Sequence, residues 1–62
     1  MNRFLFVYRL GMRKKQYPIS DAESLTDAVR LFKIQKKNII DRVSNISIYN
    51  SEGTHILTIE KI

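Results

Sequence analysis

A single stretch of this chain repeats its apolar residues at the period of an α-helix, and β-forming runs flank it on both sides. At about 100° per residue, Leu25, Ala28, Val29, Phe32 and Ile39 fall on one stripe. Arg30, Lys33 and Lys37 fall together on the opposite face, the pattern of a helix half in water. Ser24-Leu25-Thr26-Asp27 has the spacing of a capping box, with Asp27 in the place of the usual glutamate. Ser20 and Asp21 are earlier alternatives for the cap. The pattern predicts a helix running through Lys36 or Lys37 and fraying near Asn38. One helix cannot bury its own stripe, so the flanking strands must cover it.

Before the helix, Phe4 to Leu10 is rich in β-formers. Alternation puts Phe4, Phe6, Tyr8 and Leu10 on one face and Arg3, Leu5, Val7 and Arg9 on the other. The first face is apolar or aromatic throughout. The second is apolar only in its middle, as expected of a strand with neighbours on both sides. Gly11 breaks the run, and Gln16 to Ser20 resumes it with Tyr17 and Ile19 on one side. Pro18 has no amide hydrogen, which assigns that strand to an edge. The two runs form a hairpin whose turn is expected to carry Arg13-Lys14-Lys15.

After the helix, Val43 to Tyr49 and Thr54 to Ile62 form a second hairpin across Asn50-Ser51-Glu52-Gly53. Asparagine first and glycine last suit a type I turn with a left-handed glycine bulge. Pairing about that turn sets Ile48 opposite Ile56 and Tyr49 opposite His55. The fold class expected is α+β, in the order β-β-α-β-β. A small antiparallel sheet of four strands, or three without the Tyr17 strand, carries one helix on one face. The pattern leaves strand order open. Residues 1–62 read as one domain, with no internal repeat or linker.

A chain of 62 residues buries only about 60% of the surface it exposes when unfolded. Domains this small are commonly supported by disulfides, a metal or self-association. With no cysteine, disulfides and thiolate metal sites are excluded, and His55 alone makes no histidine cluster. A regular fold or a homodimer is the expected support, and no cofactor is expected. Nor does the chain have the marks of an enzyme. Gly11 and Gly53 are too far apart for a phosphate-binding loop. The acidic residues show no paired arrangement for acid–base work, and no nucleophile elbow frames a serine. A non-enzymatic binding protein without a small-molecule substrate follows as the expectation. The apolar run Phe4 to Tyr8, closed by Arg9, is far shorter than the roughly 20 residues of a membrane span and too short for a signal core. The expected location is cytoplasmic, with no membrane partner. Asn45-Ile46-Ser47 fits a glycosylation acceptor, a reading set aside for a strand in a cytoplasmic protein.

Net charge is +5, unevenly spread. The basic turn Arg13, Lys14 and Lys15 and the helix face Arg30, Lys33 and Lys37 are the two candidate clusters. Side by side they would make a patch for phosphates or an acidic protein surface, and an exposed Tyr8 or Tyr17 could stack on bases. The helix dipole also favours acids in the first turn and bases in the last without any ligand, and basic residues discourage edge-to-edge pairing. Ile34 sits almost opposite the core stripe, so it is a candidate contact residue. Leu31 reads as core at the sheet margin. Leu5 and Val7 lie on a sheet face that one helix cannot cover.

The stretch Tyr17 to Ala28, a strand leaving into an alanine-and-serine helix start, is similar to the same passage in many small β-β-α-β-β proteins, including short ones from phages and mobile elements. The resemblance implies the fold and transfers no site residue. For function the residues favour a protein-interaction adaptor or inhibitor, whose partner is another protein or, in a homodimer, a second copy of the chain. The alternative is a small basic accessory protein that contacts the phosphate backbone of nucleic acid.

Overall fold

The strand with apolar residues on both faces lies inside the sheet. In the computed structural model, which describes residues 2–61, four antiparallel strands stand in the order β2-β1-β3-β4. They are β1 Asn2–Leu10, β2 Arg13–Ala22, β3 Val43–Asn50 and β4 His55–Ile59. The single helix α1, Leu25–Gln35, connects the two hairpins, followed by a 3-10 turn at Ile40–Arg42. This is the β-β-α-β-β order that the periodicity predicts, with the Tyr17 strand included. β2 is an outer strand, where the missing amide hydrogen of Pro18 is tolerated.

The core forms between α1 and one sheet face. Phe4, Phe6 and Tyr8 from β1, Ile19 from β2, and Val43, Ile46 and Ile48 from β3 meet Ala28 and Phe32 from α1. Phe32 is the hub. Its ring stacks on Phe6 at 4.6 Å between centroids and meets Tyr8 edge-on at 5.4 Å. Leu31 is half-buried against this core, on the flank facing β2. Val29 lies on the other flank, near Leu57 of β4. Ile39 packs on the core from beyond the helix end.

The helix starts where its cap predicts. Ser24 is the cap, and its Oγ accepts the Asp27 amide at 3.1 Å. The Asp27 carboxylate, shorter than glutamate, accepts the amide of Glu23 rather than that of Ser24 itself. Ser20 and Asp21 are not caps, because β2 continues through them to Ala22. The helix ends at Gln35 with Lys36 as its C-cap, so Lys37 lies in the turn beyond it.

Like the helix end, both hairpins depart from the expected detail. The first hairpin turns at Gly11 and Met12, with Leu10 paired to Arg13, so Arg13-Lys14-Lys15 belongs to β2 and not to the turn. Gly11 has φ +62° while Met12 does not enter positive φ. That suits a type II′ turn, the tightest link that matches strand twist. In the second hairpin Tyr49 does face His55, but Ile48 faces Leu57 because Ile56 is an extra residue in β4. The turn itself is as expected. The Gly53 amide donates to the Asn50 carbonyl, Gly53 has φ +82°, and Asn50 Oδ1 accepts the amides of Glu52 and Thr54. Regular pairing of β4 stops at Ile59, and Ile62 lies outside the described residues.

A bulge in β3 sets the other sheet face. Val7 pairs with Ser47 and Arg9 with Ser44, so Asn45 and Ile46 together oppose Tyr8. Asn45 takes φ +51° there, a conformation asparagine tolerates better than most residues. The extra residue keeps Val43 and Ile46 both in the core, which strict alternation forbids.

Candidate interaction surface

Because α1 occupies one side of the sheet, the other side stands open. Across it, Pro18, Leu5, Tyr49 and His55 form one row from β2 to β4. Gln16, Val7, Ser47 and Thr58 form the next. Leu5, Val7 and Tyr49 are half-buried by their neighbours, with no helix or strand above them among the described residues. Tyr49 meets His55 edge-on at 5.4 Å between ring centroids. His55 Nε2 hydrogen-bonds Thr58 Oγ1 at 2.7 Å, and Thr58 Oγ1 lies 3.3 Å from Ser47 Oγ. The aromatic pair is thereby tied down from the β4 side.

Two depressions mark this face. One, of about 600 Å³, is lined by Arg3, Leu5, Pro18, Lys14 and Tyr49 among others. The second, of about 400 Å³, is lined by Arg9, Met12, Lys14, Asn45 and Tyr49 among others. Val7, Lys14 and Tyr49 border both, so the two run together along β1. Neither contains an acidic side chain among its described lining. By contrast, the depression between α1 and β2 holds Asp21 and Asp27 beside Arg30.

The residues expected to bind are divided by the fold. Lys14 lies on the open face, directly across from Arg9. Arg13 and Lys15, being its neighbours in a strand, project on the helix side, opposite Leu10 and Tyr8. Arg30 is ion-paired with Asp27 one turn earlier. Lys33 is exposed on α1, Lys37 is exposed beyond its end, and Ile34 is 53% exposed on the helix's outer side. Arg13, Lys15 and the helix cations therefore do not make one patch with Lys14. Of the tyrosines considered for stacking, Tyr8 is buried, and Tyr17 is half-buried with Lys36 Nζ 4.1 Å over its ring.

What the fold does assemble is Arg3, Arg9 and Lys14 around Leu5, Val7 and Tyr49. Alternation along β1 already places Arg3 and Arg9 beside Leu5 and Val7. Lys14 joins them only because the hairpin turns at Gly11-Met12. Tyr49 joins through the pairing of β3 with β1. Among the described residues, no helix is long and apolar enough to cross a membrane. Comparison with known proteins assigns no family: no family model, no curated protein and no solved structure matches this chain.

Proposed function

We propose that this protein is a non-enzymatic nucleic-acid-binding accessory protein whose contact surface is the open face of its sheet. The observation that carries the reading is the Arg9–Lys14 pair. These two cations are direct cross-strand neighbours on an exposed face, an arrangement that destabilises a sheet when nothing neutralises it. No ion pair relieves either side chain among the described residues. Arg3 adds a third cation to the same trough. An anionic polymer lying there would neutralise all three, and a cytoplasmic location accords with that ligand. The helix cations are weaker candidates, since Arg30 is already paired with Asp27.

The test is binding of a labelled mixed-sequence oligonucleotide as a function of salt. Removing one cation that neutralises a phosphate should reduce the slope of log affinity against log salt by about 0.7 to 0.9. Arg9→Gln and Lys14→Gln should each show that reduction, while Lys33→Gln and Lys37→Gln should leave the slope unchanged. Absence of binding at low salt would sink the reading.

A second reading, a protein-interaction adaptor, draws on the apolar row Pro18, Leu5 and Tyr49. It is less favoured for a homodimer stacked on this face. An isologous contact sets the same patch against itself, which here brings the cations Arg3, Arg9 and Lys14 of one copy against the same cationic patch of the other.

A further inference from the structure

Resting on the reading above, we infer that the ligand is single-stranded, with a base stacked on Tyr49 and phosphates held by Arg3, Arg9 and Lys14. The two depressions join at Tyr49 and Lys14 into a trough that follows β1. From Arg3 to Arg9 the strand advances roughly 20 Å at about 3.4 Å per residue. That run matches the low end, about four nucleotides, of the sites found on single-strand-binding folds.

Shape separates a single strand from a duplex. Four strands about 4.8 Å apart place the outer axes of the sheet roughly 14 Å from each other, before side chains are added. The B-DNA major groove is about 12 Å wide and takes one helix or a two-stranded ribbon. The broad face of this sheet does not fit it. A single strand lies along the trough with its bases turned down onto the face.

The chemistry of the floor agrees. Leu5 and Val7 offer apolar contact and no hydrogen bond, so they accept any base equally. Tyr49 borders both depressions, and its ring is held from the β4 side by His55. Cations at both ends of an apolar, aromatic floor are the two components of sequence-tolerant single-strand binding. The sheet edges offer no competing mode. β2 carries Pro18 and Lys15, and β4 is short and bulged at Ile56, features that block strand addition.

The experiment measures fluorescence anisotropy of labelled oligothymidylate and of a blunt mixed-sequence duplex of equal length, with polyglutamate as competitor. The single strand should bind more tightly than the duplex, and polyglutamate should displace it poorly. Tyr49→Ala and Tyr49→Leu should weaken oligothymidylate binding about five- to hundredfold, the range for removing one stacked base, with the salt slope unchanged. Tyr49→Phe should bind as the parent does. Tyr49→Leu keeps apolar volume in β3, so its weaker binding reports the ring and not the fold. Duplex bound as tightly as single strand, or Tyr49→Leu bound as tightly as the parent, overturns the inference and leaves the nucleic-acid reading standing. Neither oligonucleotide bound at low salt overturns both. Displacement by polyglutamate at equal charge concentration, with no Tyr49 effect, assigns the face to an acidic peptide instead.

Discussion

At the start of α1 one aspartate makes three contacts. The Asp27 amide donates to Ser24 Oγ, and its carboxylate accepts the Glu23 amide and pairs with Arg30. The Glu23 amide is the main cause, with Arg30 second, that holds the Asp27 carboxyl below the usual aspartate value. A depressed folded pKa stabilises the fold above the unfolded value, near pH ~3.9, and that contribution fades as pH falls through the folded value. Asp27→Asn should therefore destabilise the protein at neutral pH, with the difference from the parent closing below about pH 4. Urea melts of both proteins across that range check it. Ser24→Ala removes the cap acceptor and should cost about 1 kcal/mol. For a domain of this size that is a drop in Tm of roughly 4–8 °C, read by circular dichroism.

Between helix and sheet the decisive contact is Phe32 on Phe6, Tyr8 and Tyr17. Phe32→Ala should cost about 3–5 kcal/mol, close to the whole stability of a small domain, for which about 5 kcal/mol is ordinary. A residual stability of about 0–2 kcal/mol is the expectation, so that Phe32→Ala is partly unfolded and melts far below the parent, with Phe32→Leu melting between the two. Fully native melting by Phe32→Ala would mean that the core does not depend on this hub. The helix, β1 and the second turn were legible because each rests on a local rule: a 3.6 period, strict alternation, and the Asn–Gly turn chemistry. The first turn was not, since the charged run Arg13-Lys14-Lys15 resembles a loop while the actual reversal needs only Gly11 and Met12. The bulges were harder still. Val43, Ile46 and Ile48 change parity between the first and second, and that change is the trace in the sequence of the extra residue at Asn45. Such a shift moves side chains between faces, so the composition of the open face depended on it. Arg3 and Arg9 were visible on that face from β1 alone, whereas Lys14 and Tyr49 needed the turn and the pairing.

On the scale of the molecule, the two faces of the sheet carry different side chains. The helix side holds every fully buried large side chain among the described residues. The open side gathers Arg3, Arg9 and Lys14, which make no ion pair among the described residues. Arg9 beside Lys14 should weaken the sheet, and relieving that repulsion should strengthen the protein while weakening the proposed contact with nucleic acid. Converting a like-charge cross-strand pair to an opposite-charge pair is worth roughly 0.2–1 kcal/mol. Lys14→Glu should then raise Tm by a few degrees, at about 4–8 °C per kcal/mol, and should weaken oligonucleotide binding more than Lys14→Gln does. Salt supplies an internal control, because the distance over which exposed charges act falls from about 30 Å at ~0.01 M to about 3 Å at ~1 M. Added salt should raise the Tm of the parent and narrow its gap to Lys14→Glu. A thermal melt at two salt concentrations decides the point: if Lys14→Glu melts no higher than the parent at low salt, the cations on this face carry no strain for a ligand to relieve.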